Sequence, residues 1–394
     1  MSKLIKGWPK VAVVIVTWNG KKFLEECLPA LARQSYPKNK VKTILVDNGS
    51  VDGTIDWIRE KYPDIAIIKN KKNLGFAKSN NQGIKLALHD PKTKYLITLN
   101  NDTQAKKDWL ENLVLFMEIN KNVGISVSKM IRVSDLTIID SAGDYFAKNT
   151  FRVVNRGYLE KDFGQFEKDA EILTACAASS IFRVKVLQET KLGKEFFDED
   201  FGSYIEDVDL NLRARLLGWK ISYAPKSVIY HVGSATASKL SKKFKEFVSR
   251  RNRILMSIKI FPNPYLAFIL LKYIFPSAKG VNYYMTAGQN SQIQKIKNKK
   301  GRGSVSMLAK GYGILINKGP LQLLKKTYKL YISNNDPLIL TPYEAITIQL
   351  KAISAALIYL PKMLKKRKQI QKSKKIPDEE IKRWFIELSI LQKK

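Results

Sequence analysis

Apolar residues run without a break from Val11 to Val16, then recur at helical spacing at Phe23, Leu24, Cys27, Leu28 and Leu31. A short unbroken apolar run suits a strand buried on both faces. The spacing after it predicts a helix that carries Cys27 in the core rather than at a reactive site. The alternation repeats, with strands predicted at Val41–Val46, Ile65–Ile68 and Tyr95–Leu99. One helix is expected through Ile55 and Ile58, with Ser50, Asp52 and Thr54 as candidate N-caps, and another from about Ala77 to Leu88. Strand–helix–strand order with short turns predicts an α/β fold, a mostly parallel sheet with helices on both faces.

Polar residues gather where the predicted strands end. Thr17, Trp18 and Asn19 follow the first strand, Asp47 and Asn48 the second, Asn70 to Asn73 the third, and Asn100, Asn101 and Asp102 the fourth. Open parallel sheets bind ligands beyond the carboxyl ends of their strands, so these turns predict one crevice. Each turn alone is ordinary loop chemistry; the series favours a site. No glycine fingerprint of a dinucleotide or P-loop site follows the first strand.

Beyond about residue 240 the pattern changes. Phe244, Phe247, Val248, Arg251, Ile254, Leu255 and Ile258 follow helical spacing, and Ile346, Leu350, Ile353, Leu357, Leu360 and Leu364 form a stripe on one helical face. Pro361 is expected to kink the last turn of that stripe. Tyr265–Phe275, bounded by prolines, reads as a shallow hairpin or a buried helix, and the lysine-rich stretch 289–303 as a mobile loop. No run of eighteen uncharged apolar residues predicts a membrane span.

Charge sharpens this division. The chain of 394 residues has a net charge of +34. Residues 241–394 hold 32 basic and 7 acidic side chains, and so most of the excess. That points to an anionic partner, either nucleic acid or the lipid headgroups of a membrane, against the alternative of a solvated lysine-rich surface. No helix-turn-helix, zinc or RNA-recognition signature supports nucleic acid. The stripe, followed by Lys365, Lys366, Arg367 and Lys368, fits a helix lying on an anionic membrane surface; packing on the rest of the protein is the alternative. At 45% hydrophobic residues the chain has material for a sizeable core, which excludes a disordered protein. Cys27 and Cys176 cannot build a disulfide framework, and the first apolar run is too short for a signal-peptide core. Together these predict a cytoplasmic protein, peripheral on the inner face of the cell membrane.

Four segments carry a family resemblance. Residues 13–20 (VVIVTWNG), 46–54 (VDNGSVDGT), 73–77 (NLGFA) and 99–102 (LNND), followed by 204–210 (YIEDVDL) with Arg213 and Gly218, resemble in order the motifs of family 2 glycosyltransferases. The rhamnosyltransferase-like members are the most similar subgroup. The resemblance covers about residues 10–240. It implies a GT-A fold, with residues 1–240 as the catalytic domain and 241–394 as a helical, basic region associated with the membrane surface.

The same resemblance implies transfer of one sugar, with inversion, from a dTDP- or UDP-sugar to a glycan or lipid-linked acceptor. It implies that Thr17 and Asp47 contact the pyrimidine and that Asn73 and Gly75 lie near the nucleoside, with Asn19, Asn48, Ser50, Asn80 and Asn101 around them. Trp18 is placed either on the base or in the core. Asp102 matches the last acid of the Asp-x-Asp metal motif, whose first position is Asn100 here. Asp102 and His231 are thus the candidate ligands of Mg2+ or Mn2+, and a hard ion there would neutralise the leaving diphosphate. Asp207 is the candidate general base, with Glu206 beside it to raise or orient its titration. His89 reads as a helix-end residue, and Cys176 has no neighbouring histidine to activate it. No Gln-x-x-Arg-Trp motif follows the acidic motif, which favours single transfer over processive synthesis. A polyprenyl-phosphate sugar transferase is the alternative, and a basic nucleic-acid-binding protein a more distant one.

Overall fold

The structure is a computed structural model that describes residues 7–147, 152–233, 241–274 and 342–386. The expected strand–helix alternation is present. Strand β1 (Lys10–Thr17) leads to α1 (Lys21–Ala32), β2 (Val41–Asp47) to α2 (Thr54–Lys61), β3 (Ala66–Lys69) to α3 (Phe76–Ala87), and β4 (Thr93–Asn100) closes the series. Val11 to Ile15 are all buried, as a strand covered on both faces requires. Cys27 is buried in the same core, and burial pushes its thiol up to about 12, which makes it inert.

After β4 come β5 (Thr103–Ala105), α4 (Trp109–Ile119), β6 (Val123–Arg132), β7 (Ile139–Ser141), β8 (Asp144–Ala147), β9 (Arg152–Asn155), β10 (Ala170–Glu171) and β11 (Ser179–Arg183). Then follow α5 (Val184–Thr190), α6 (Glu206–Leu216) and β12 (Lys220–His231). The large sheet has the order β10-β12-β6-β11-β4-β1-β2-β3, with β5 added to β12 and β7 to β6. Its first half, β4-β1-β2-β3, is parallel. The sheet as a whole is mixed rather than mostly parallel, because β11 runs antiparallel to both β4 and β6. The chain reaches β11 from the loop after β10 rather than by a helical crossover, so nothing obliges it to run parallel.

One expected cap differs. The N-cap position of α2 is Gly53, and Asp52 rather than Ser50 supports the helix start, accepting from the Thr54 amide at 3.2 Å. Ser50 turns instead to the first strand's loop, where its hydroxyl accepts from the Asn19 amide at 2.8 Å.

The C-terminal helices are α7 (Lys242–Ile260), α8 (Asn263–Ile274), α9 (Pro342–Ser373) and α10 (Asp378–Lys382), followed by β13 (Phe385–Ile386), which joins β8 and β9 in a small sheet. A second core lies here. Phe201, Val208, Leu212 and Leu216 from around α6 pack with Leu255, Ile258 and Phe261 at α7, and with Ala356 and Met363 of α9. Of Tyr265–Phe275, read as a hairpin or a buried helix, residues 265–274 lie within α8, and 275 lies outside the described residues. Pro361, expected to kink the last turn of the stripe, lies inside α9, which continues past it to Ser373. The expected loop at 289–303 lies outside the described residues. Among the described residues no helix is long and apolar enough to cross a membrane.

Candidate functional site

Register aligns the strand ends. Thr17 stands opposite Asp47, Val16 opposite Asn100, and Asp47 opposite Lys69. The polar turns after β1, β2, β3 and β4 therefore open on one edge of the sheet. Asn101 donates to the Thr17 hydroxyl at 2.9 Å and ties the first turn to the fourth. Gly20 permits this contact, since a Cβ there would lie 2.2 Å from Asn101 Nδ2 and 2.4 Å from Thr17 Oγ1. Asn19, at φ +48°, accepts from the Val51 amide at 2.8 Å and locks the first turn to the second. Trp18 is half-buried beside it.

Much of the polar capacity at this edge is spent on the turns themselves. The Asp47 carboxylate accepts from the amides of Gly49 and Ser50, both within 3.3 Å. Asn48 is buried and accepts from Asn70 at 3.1 Å and Ser79 at 2.5 Å. Asn80 donates to the Phe76 carbonyl of its own helix at 3.0 Å. Asn73 is exposed and accepts from the Gly75 amide at 2.9 Å, shaping the entry to α3.

Gly75 brings the next group of residues in. Its φ is +83°, and a Cβ would lie 2.9 Å from the Gly202 carbonyl oxygen. Beside it the Ala77 amide donates to Gly202 at 2.9 Å, and the Phe76 amide to the Ser203 hydroxyl at 3.1 Å. The loop from Asn73 is thus fastened to the segment just ahead of the acidic motif, 127 residues away.

That motif opens α6. Asp207 is half-buried, and its carboxylate accepts from the Ala177 amide at 3.1 Å and the Val208 amide at 2.8 Å. Burial raises its pKa above the ordinary carboxylate range, against the pull of those amides. Glu206 is buried, and burial together with the Asp207 charge raises it well above its usual value; its Oε2 has no hydrogen-bond partner. Asp209 faces inward, paired with Arg213 at 3.0 Å and Lys259 at 2.7 Å. The Ala177 amide brings the stretch 174–180 against Asp207, and Cys176 within it is pushed well up by burial and then by Asp207 and Asp144.

Asp102 and His231 also meet. Antiparallel pairing of β5 with β12 sets Thr103 opposite His231, and His231 Nε2 lies 3.4 Å from Asp102 Oδ1. On the other side His231 Nδ1 lies 2.8 Å from Asp140 Oδ2. Burial works to lower the imidazole pKa, and the two carboxylates overcome it and hold the ring up at about 9. Asp140 was not visible as a site residue in the sequence. It sits on the short strand β7, paired to β6, and no spacing rule links it to His231. Asp144, another unforeseen acid, is buried near Asp207, and burial with the Asp207 charge raises it well above the usual range. Among the described residues no group of three or more His, Cys, Asp or Glu side chains is arranged to hold a metal ion.

The glycosyl transferase family 2 model matches residues 12–191. An uncharacterized glycosyltransferase of Haemophilus influenzae is 30% identical over 122 residues, 30% of this chain and 36% of that one. The poly(ribitol-phosphate) beta-N-acetylglucosaminyltransferase TarS of Staphylococcus aureus is 23% identical over 246 residues, 60% of this chain and 37% of that one. Its crystal structure covers 70% of this chain and 45% of that one at 20% identity, with a TM-score of 0.47. The N-acetylglucosaminyl-diphospho-decaprenol L-rhamnosyltransferase of Mycobacterium tuberculosis is 24% identical over 241 residues, 56% of this chain and 75% of that one. The chain spans little more than a third of the length of the first curated relatives it matches.

Proposed function

We propose, from the premise that residues 12–191 belong to glycosyl transferase family 2, that this protein is an inverting glycosyltransferase of GT-A type. It moves one sugar from a nucleoside-diphosphate donor to a hydroxyl of a glycan or lipid-linked acceptor. The observation that carries this is the junction of the Gly75–Ala77 loop with Gly202 and Ser203, which sets the nucleoside side of the crevice beside Asp207. In this reading residues 1–240 are the catalytic domain.

The acceptor hydroxyl attacks the anomeric carbon while Asp207 takes its proton; the bond from that carbon to the diphosphate oxygen breaks, and the nucleoside diphosphate leaves. A raised pKa suits Asp207 to this task, because a base works best when its pKa approaches the working pH. Thr17 and Asp47 face the pyrimidine, with Trp18 over it, and Asn73 and Gly75 border the nucleoside.

Asp102 and His231 would hold a divalent ion. Mg2+ is commonly held by one or two protein groups together with substrate phosphates and water, so two donors suffice, and the buried His231 Nε2, turned toward Asp102 at 3.4 Å, fits the second place. The ion would stabilise the charge on the departing diphosphate.

L-Rhamnose is the first candidate sugar, following the named activity of the Mycobacterium tuberculosis relative, with dTDP as its carrier by the family resemblance. UDP-linked N-acetylhexosamine, following TarS, is the second. A thermal-shift screen of dTDP, UDP, GDP and their sugars, with and without Mg2+ or Mn2+, tests the assignment, because a ligand of the native state raises Tm. A selective rise with a thymidine or uridine species is expected, larger with metal. No rise with any nucleotide overturns it.

The acceptor side is proposed to lie at an anionic membrane, on the cytoplasmic face. Ile346, Leu350, Leu357, Ile358 and Leu364 of α9 are exposed, alongside the exposed Lys351, Lys365 and Lys368. An apolar stripe flanked by lysines binds anionic lipid by burial and charge together.

A further inference from the structure

Immediately before α6 the backbone takes a conformation that ordinary side chains avoid. Tyr204 and Ile205 both have positive φ, 68° and 71°, two consecutive left-handed residues of which neither is glycine and one is β-branched. Local preference does not hold such a turn, so contacts from elsewhere must. Three of them come from one side chain of the C-terminal region. Asn252, on α7 and wholly buried, directs Nδ2 at the carbonyl oxygens of Phe201 at 2.9 Å, Ser203 at 2.9 Å and Tyr204 at 2.7 Å. Its amide orientation is set by Arg251, whose Nε and Nη2 donate to Asn252 Oδ1 at 3.0 and 2.8 Å. The reverse orientation would set an NH2 group against a guanidinium and an oxygen against three carbonyls. Arg251 itself donates to the carbonyls of Asp200 and Phe201.

The clamped segment serves both halves of the site. Gly202 and Ser203 receive the amides of Ala77 and Phe76, and the Ile205 carbonyl accepts from the Asp209 amide as α6 begins, two residues before Asp207.

We propose that Asn252 is a positioning residue for sugar transfer: by holding the carbonyls of Phe201, Ser203 and Tyr204 it fixes the left-handed turn that aims Asp207, and keeps that carboxylate at a set distance from the nucleoside side of the crevice. This rests on the reading of Asp207 as the base. It assigns a role in the transfer to a residue that lies outside the family-matched stretch and touches no substrate.

The test uses the full-length chain and needs no acceptor for its first arm. Hydrogen exchange is followed in wild type, Asn252→Ala and Asn252→Asp. The amides of Ala177, bound to Asp207, and of Ala77, bound to Gly202, are expected to exchange at least tenfold faster in both variants. Amides of β1 and β4 keep their rates. The second arm measures release of nucleoside diphosphate from dTDP-rhamnose and UDP-N-acetylglucosamine. For whichever turns over, Asn252→Ala is expected to lower kcat tenfold or more with donor KM within threefold. Adding Ile205→Gly, which takes the left-handed conformation without penalty, restores part of the lost kcat.

Unchanged exchange at Ala177 and Ala77 overturns the proposal. So does a uniform rise in exchange across the sheet, which marks a general loss of stability instead. Asp207→Asn, run in parallel, separates the two readings. Full activity in that variant removes the base assignment and leaves the exchange result standing. An inactive Asp207→Asn beside a fully active Asn252→Ala overturns the positioning role alone.

Discussion

Along the parallel strands β1, β2 and β4 the wholly buried positions include Val13, Ile15, Leu45 and Ile97, apolar side chains among apolar side chains. In α7 they include Asn252, Ser257 and Lys259. The two regions fill their interiors by different physics. Strand β1 is covered on both faces by apolar side chains, so its burial is written in its composition, while Ser126, Ser128 and Ser179 of β6 and β11 are buried by bonding to partners. A helix held among others can bury a charge if partners arrive from several elements, and α7 does so. Lys259 lies 2.5 Å from Asp198 and 2.7 Å from Asp209, all three at zero exposure. Lys366 of α9 reaches Asp198 at 2.5 Å and Asp200 at 2.8 Å.

The contrast extends to α9. Of its apolar stripe, expected on a membrane surface with packing as the alternative, the residues at 346, 350, 357 and 364 are 49–60% exposed, while Ile353 and Leu360 pack against the second core. The face that packs carries Ile348, Ala352, Ala356, Met363 and Ile370. Two alanines in that row let α9 and α7 approach closely, which leucine would not. The larger side chains are left outside, where a membrane is their proposed partner.

The sharpest break between the regions is expected at Asp207. Asp207→Asn removes a base that contributes roughly a hundred- to ten-thousandfold to rate. The expected result is a kcat loss of that order with Tm nearly unchanged, read by turnover and calorimetry. Next comes Lys259→Met, which strands two buried carboxylates. Losing one partner of such a network costs about 3–5 kcal/mol, whereas Ile97→Val in the sheet costs about 0.5–1.5 kcal/mol. Urea unfolding of both variants measures the difference; equal losses would erase the distinction drawn here.

Acid should act on the same network. Burial raises the Asp198 pKa, but Lys259 and then Lys366 outweigh it and hold the carboxyl below its ordinary range. A depressed folded-state pKa gives stability that is full above the unfolded value of about 3.9 and lost as pH falls below it. The stability gap between wild type and Asp198→Asn should therefore narrow from pH 7 to pH 3. A constant gap would show that the ion pairs contribute nothing. The smallest effect on folding is expected from Leu350→Glu with Leu357→Glu, since exposed substitutions usually change stability by within about 0.5 kcal/mol. Sedimentation with phosphatidylglycerol vesicles should fall severalfold, and unchanged binding would remove α9 as the contact.

The sequence by itself determined the first four strands and three helices, the edge of the sheet where the polar turns gather, and the order of the acidic and histidine motifs. These follow from local periodicity and from turn chemistry, which act over a few residues. Only the tertiary structure decided that β11 reverses the sheet. It also decided that Asp140 stands behind His231, which residues of α9's apolar stripe turn inward, and that Asn252 holds the turn before Asp207. For β11, His231 and Asn252 this depends on which of several possible faces meets a partner 48 to 91 residues away. That choice is made by the summed packing and hydrogen bonding of elements that no single stretch of sequence contains.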